Sequence, residues 1–204
     1  MSNRLEERLI GLMQSTPWFM GVLQAVQACE PPDWLVGGGV IRNLLWDHLH
    51  DRITPTPLRD VDVAYFDPHR VDETQDQQVE DCLRATLPEV PWQAKNQAAV
   101  HLWYERAFGF PEEPLDSSAD GVGTWPETAT SVAVRLLHCG ELVVVAPCGL
   151  ADLFSGILRR NPRRVTREIF ERRCSEKRIL ETWPQVLVMM DWGCSERSMR
   201  YAAG

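Results

Sequence analysis

The chain has no apolar run that could cross a membrane as a helix: its longest purely hydrophobic stretches, such as Leu142 to Ala146, fall far short of roughly 18 residues. The opening MSNRLEER is charged where a secretory leader turns apolar. An unexported, cytoplasmic protein with no membrane partner is therefore expected. Paired cysteines of zinc-knuckle spacing are also lacking: Cys29, Cys82, Cys139, Cys148, Cys174 and Cys194 stand singly, and reduced thiols are the expectation. Two phosphate-binding fingerprints are absent, since no Gly-Lys-Ser/Thr loop and no GxGxxG occurs, which excludes the P-loop and Rossmann dinucleotide classes. No internal repeat and no domain boundary is evident. One domain over 1–204 is expected, with N-terminal helices in 1–30, a core in 31–155 and a basic helical segment in 156–204.

What is present is an ordinary globular composition, 44% hydrophobic, with a net charge of -8 that is unevenly spread. From Arg159 to Arg178, nine Arg or Lys stand against three Glu, a local balance of +6 that leaves about -14 for the rest. A broad nucleic-acid surface is excluded by that acidic remainder, because non-specific affinity for a polyphosphate backbone needs an extended basic face. The basic segment itself reads either as a solvated helix face or as a patch that meets a phosphate or an RNA end.

Periodicity predicts two helices over 3–29, the second capped by Thr16 with Pro17 in its first turn. Trp34-Leu35-Val36, then Gly37-Gly38-Gly39, then a helical run with Val40, Ile41, Leu44, Leu45 and Leu49 reads as strand, glycine turn, helix. After a Pro-broken loop, Asp60 to Phe66 alternates as a strand. A helix over 73–87, a strand over 92–95, a hairpin of 132–137 with 142–146 and a helix over 164–180 follow. The run Val186 to Met190 is ambiguous, and 109–126, rich in Pro, Gly, Ser and acids, is the expected mobile loop. Helices leading and following a modest sheet with a hairpin indicate an α+β fold.

In a strand, Asp60 and Asp62 project from the same face while Val61, Val63 and Tyr65 pack behind. Two neighbouring carboxylates ionise together only with a cation between them, and Mg2+ suits the pair, since it takes one or two carboxylates and completes its shell with water and phosphates. The glycine turn at a helix start offers backbone N–H groups and the positive helix end to an anion, and Arg42 in the first turn adds charge. Asn96, between Lys95 and Gln97 at a strand end, reads either as a contact to a base or sugar or as part of an ordinary strand-to-helix junction.

The segments Gly38-Gly39-Val40-Ile41-Arg42-Asn43 and Asp60-Val61-Asp62-Val63 resemble the head domain of CCA-adding enzymes and bacterial poly(A) polymerases, within the DNA polymerase β-like nucleotidyltransferase superfamily. WLVGGGVIRN, DVDVAYFD, WQAKNQAAVHLWY, WPETATSVAVRL, APCGLADLF and LRRNP are similar to a bacterial group of stand-alone nucleotidyltransferase-like proteins of undefined substrate. The resemblance implies a polymerase β-like core, a small mixed sheet with flanking helices. It further implies transfer of a nucleoside monophosphate from a nucleoside triphosphate to an acceptor hydroxyl, with Mg2+ or Mn2+ on Asp60 and Asp62 and the triphosphate on Gly38, Gly39 and Arg42. Asn43 stands where the CCA-adding pattern has an acid, and neither the Arg-rich templating motif nor the tRNA-binding body has a counterpart, so the acceptor is a different small molecule, protein or RNA end. The superfamily's third acid has three candidates, Glu127, Glu141 and Asp152; Glu127, beside Thr128 and Thr130, leads. A catalytically inactive nucleotide-binding or partner-docking module of the same fold is the alternative.

Overall fold

A computed structural model describes residues 2–111 and 113–190. Helices α1 (Ser2–Gln14) and α2 (Pro17–Cys29) lead, and α2 buries the expected stripe of Phe19, Val22, Leu23 and Val26. Pro17 opens α2, but the Thr16 hydroxyl donates back to the Leu12 carbonyl at 2.8 Å, so it closes α1 and does not cap α2. Strand β1 (Leu35–Gly37) runs into α3 (Gly39–Leu49), and β2 (Val61–Tyr65) is joined through α4 (Glu73–Thr86) to β3 (Trp92–Asn96). A single 3-10 turn then leads to α5 (Val100–Phe108), with α6 (Ser118–Val122) next in the chain.

Strands β4 (Ala133–Leu136) and β5 (Leu142–Val145) form the expected hairpin, with Gly140 at φ +87° in its turn. The five strands lie in the order β3-β2-β1-β4-β5, with β2 and β3 parallel and the other pairs antiparallel. A second sheet pairs β6 (Ile157–Arg159), which follows α7 (Ala151–Phe154), in parallel with β7 (Leu187–Met189). Between them stand α8 (Arg167–Lys177) and α9 (Ile179–Thr182). This is the α+β, mixed-sheet fold that the sequence indicates.

The alternation in β2 divides its side chains as expected. Val61, Val63 and Tyr65 enter a core that runs from Leu9 and Met13 of α1 to Trp183 and Val186, leaving Asp62 on the other face. Two expectations are corrected. Cys29 and Cys82 form a disulfide across 53 residues, because α2 packs on α4 and brings the two Cα atoms within 6.1 Å; sequence spacing carries no trace of that contact. Cys139, Cys148 and Cys174 are free, and Cys194 lies outside the described residues. The segment expected to be a mobile loop contains α6, and Ser118 there is fully buried, its hydroxyl and N–H both donating to Asp33. Among the described residues, no helix is long and apolar enough to cross a membrane.

Candidate active site

The antiparallel register of β1 and β2 sets Gly37 opposite Asp62 and carries the following turn toward Asp60. Each glycine of the triplet has a different reason to lack a side chain. A Cβ on Gly37 would come within 2.5 Å of the Val132 carbonyl oxygen, so this position is closed by β4. Gly38 has φ +71°, and a Cβ there would lie 3.0 Å from Asp62 Oδ2 and 3.3 Å from the Trp125 ring. Gly39 has an ordinary φ; its Cβ would stand 3.8 Å from Arg42 Nη2 and 3.9 Å from Asp60 Oδ1. Gly38, Gly39, Asp60, Asp62 and Arg42 therefore converge on one place.

The Gly38 N–H is not open to a ligand, for it donates to Val132 O at 3.0 Å. Free donors begin one residue later: the N–H groups of Gly39, Val40 and Ile41 precede the first intrahelical bond, and α3 has no side-chain cap.

Arg42 is 7% exposed and lies over the rings of Trp46 and Trp183, at 5.7 and 5.2 Å. Its Nε and Nη2 donate to Asn43 Oδ1 at 3.1 and 2.8 Å, while its Nη1 is buried with no hydrogen-bond partner among the described residues. A guanidinium cannot shed its proton, so this donor is an unmet demand for an acceptor. Asn43 thus holds one edge of the guanidinium without adding a charge to offset it.

Asp60 is exposed and Asp62 partly buried, and neither accepts a hydrogen bond from a described residue. Burial first, and the neighbouring Asp60 second, push the Asp62 carboxyl up to about 6. Glu127 differs. It is 2% exposed, and although burial alone raises its pKa, Lys177 and Arg173 hold it below the ordinary carboxylate range. Arg173 Nε meets its Oε1 at 2.9 Å and the Thr130 hydroxyl its Oε2 at 2.7 Å. An ionised, doubly engaged carboxylate is an anchor for Arg173 and a weak proton acceptor. Of the other acids considered, Asp152 is bound by Arg159 at 2.8 Å and by the Thr128 hydroxyl at 2.6 Å, and Glu141 is exposed beside the hairpin turn.

Asn96 is not brought to this place. It pairs with Tyr65 at the other end of β2 and β3, and its amide is fully employed: Oδ1 accepts from the Asp67 and Ala98 N–H groups, and Nδ2 donates to the Asp67 and Arg70 carbonyls. It ties a loop to a strand end and has no atom to offer a nucleotide.

Two cations at the site went unread in the sequence. Arg173 and Lys177, one turn apart on α8, both face Glu127 and Asp62; burial lowers the pKa of Lys177, while Glu127 and Asp60 work against that. The basic segment is divided: Arg159 pairs with Asp152, Arg163 with Asp120 at 2.6 Å and Arg173 with Glu127, while Arg167, Arg172 and Arg178 lie on an exposed face. Their i, i+4 spacing puts both on one face of α8, but the acids that face them are distant in the chain.

Two carboxylates beside a donor-rich turn and an orphaned arginine suit a divalent cation carried with a polyphosphate. Among the described residues no group of three or more His, Cys, Asp or Glu is arranged to hold a metal unaided. The pair fits a Mg2+-type ion that draws its remaining ligands from water and phosphate.

The sequence profile of a nucleotidyltransferase family matches residues 24–188. The chain belongs to that family. A structure solved by NMR, described as revealing a CCA-adding enzyme head domain, superposes with a TM-score of 0.74 at 24% identity, covering 91% of this chain and 95% of that one, and shows the same fold. No curated protein matches the chain. Membership and fold together support a nucleotidyl-transfer role.

Proposed function

We propose that the protein transfers a nucleoside monophosphate from a nucleoside triphosphate to an acceptor hydroxyl, releasing pyrophosphate. The observation that carries this reading is the buried, unpartnered Nη1 of Arg42 beside a glycine turn that faces two unbonded carboxylates. The N–H groups of Gly39, Val40 and Ile41 receive phosphate oxygens, and Arg42 adds a fixed charge there. Gly38 lets the turn pass close to Asp62. Asp60 and Asp62 would hold Mg2+ or Mn2+, which when bound would offset charge on the phosphate oxygens. Arg173 and Lys177 supply positive charge from the opposite wall, and Glu127 fixes Arg173 in place.

One observation favours a second reading. The engagement of Glu127 by Arg173 and Thr130 leaves, among the described residues of the site, no third carboxylate free to take a proton, as a nucleotide-binding module without turnover would show. Incubation with each triphosphate, Mg2+ or Mn2+ and a cell extract separates the two. Pyrophosphate release that disappears in Asp60→Ala supports transfer; metal-dependent nucleotide binding without release supports the inactive module; absence of nucleotide binding refutes both.

A further inference from the structure

Beyond Asp62, away from the glycine turn, lies a cleft of about 210 Å³ that Asp62 borders but Gly38, Gly39 and Arg42 do not. Its floor is the open sheet face, where Ala64 of β2 stands beside Lys95 of β3, and its walls include Trp103 of α5 and Trp125. Register fixes the direction: from Gly37 opposite Asp62 the turn proceeds toward Asp60, whereas Ala64 and Lys95 lie further along β2 in the opposite sense. The phosphate cradle and the cleft therefore flank Asp62 from two sides.

Displacement at phosphorus proceeds with the attacking and leaving oxygens roughly in line. If the β- and γ-phosphates sit at the turn, the attacking hydroxyl must come from the side of the cleft. We propose that this cleft is the acceptor subsite, and that the acceptor is a small, planar hydroxyl compound about the size of one nucleoside. The proposal rests on the transferase reading above.

Two features of the cleft select that chemistry. Indole walls favour a flat ring system. The lining cations Lys95 and Arg173 are already engaged, by Asp76 at 2.8 Å and by Glu127 at 2.9 Å, and set no demand for a charged guest. The volume lies below the roughly 300–1,000 Å³ of a drug-sized site, which admits a single ring system and excludes a folded polymer. In the reaction the acceptor oxygen gives an electron pair to the α-phosphorus and the new P–O ester bond forms. The bond from that phosphorus to the bridging oxygen breaks, pyrophosphate leaves with the pair, and the hydroxyl proton is released to solvent.

The test uses the full chain with Mg2+, triphosphates labelled at the α-phosphate, and a cell extract divided into small-molecule and macromolecular fractions. Trp103→Ala and Lys95→Glu are compared with the wild type, with melting curves for each and titrations of a non-hydrolysable triphosphate. The expected result is a labelled product in the small-molecule fraction that forms about tenfold more slowly in both variants, with triphosphate affinity kept within about twofold. Label confined to protein or RNA overturns the proposal, as does a product rate unchanged in both variants. Equal losses of triphosphate affinity and product rate in both folded variants also overturn it, for the cleft would then hold the donor's nucleoside. Failure of the wild type to bind triphosphate removes the transferase reading itself, and the acceptor assignment falls with it.

Discussion

Asp62→Asn should make the metal-free protein more stable at neutral pH. The folded-state pKa of about 6 exceeds the ordinary 3.8 because burial and Asp60 both oppose the ionised form. The fold thus binds this proton more tightly than the unfolded chain does, and linkage fixes the sign. Below pH 3.8 Asp62 is protonated in both states and costs nothing. Between there and about 6 the unfolded chain ionises first, so stability falls as pH rises; above about 6 the full penalty is present. Roughly two pK units correspond to about 3 kcal/mol. An amide of the same shape removes the penalty. In a chain of this length that is a rise in Tm of roughly 6–12 °C at pH 7.5, shrinking toward zero near pH 4. Chemical denaturation in EDTA at several pH values reads it, and subtracting the two proteins cancels the titrating groups that do not interact with Asp62. Added Mg2+ with a triphosphate should stabilise the wild type more than the variant. Equal or lower stability of Asp62→Asn at pH 7.5, or wild-type and variant curves that stay parallel from pH 4 to 7, would refute the account of an uncompensated carboxylate.

Arg42→Met should weaken triphosphate binding more than nucleoside binding, because the variant keeps the packing on Trp46 and Trp183 but removes the charge; equal losses in calorimetric titrations would refute the phosphate role. Gly38→Ala should cost about 1–3 kcal/mol, since its φ of +71° is costly for alanine, whereas Gly39→Ala should be neutral in melting and lose triphosphate affinity, its methyl pointing between Asp60 and Arg42. Val63→Ala, in the core behind the site, should cost about 1–3 kcal/mol in denaturation and leave nucleotide affinity unchanged. Reduction of the Cys29–Cys82 bond, which closes a separation of 53 residues, should lower stability by up to about 4 kcal/mol, and a denaturation midpoint indifferent to reductant would deny the bond a role.

The parts of the site that the sequence discloses are those whose partners are close in the chain. A period of two places Asp60 with Asp62, and a glycine turn before a helical run announces an anion site; both need only a few residues of context. Asn96 shows the limit of that reasoning. An amide at a strand end looks available, and only the fold shows the Asp67 and Arg70 backbone, 29 and 26 residues away, consuming it. The turn's donors shift for the same reason: β4 takes the Gly38 N–H through Val132, and the open donors start at Gly39. Strand β6 is a further case, because three residues pairing with Leu187–Met189 leave no local pattern to read.

The C-terminal basic segment matters most to the functional argument, and its local charge of +6 conceals its role. Three of its arginines answer to Asp120, Glu127 and Asp152, all outside it, and so bind the segment to the core. The same segment brings Trp183 over Arg42, with the indole N–H anchored to Asp47 at 2.9 Å, and sets Arg173 and Lys177 against the carboxylates. Three acids, Asp60, Asp62 and Glu127, then face three cations, Arg42, Arg173 and Lys177, in one partly buried space. Without ligand the charges balance in number but not in contact, since among the described residues Arg42 Nη1 has no acceptor and Asp62 no donor. A metal and a polyphosphate entering together would satisfy both at once, the cation at Asp62 and the anion at Arg42, while either alone would leave one of them unmet. Binding of Mg2+ and triphosphate should therefore be mutually reinforcing, and the coupling should disappear in Asp62→Asn and shrink in Arg42→Met. Calorimetric titration of triphosphate with and without Mg2+ measures it, and equal affinities under the two conditions in the wild type would show that these opposed charges do not work as one site.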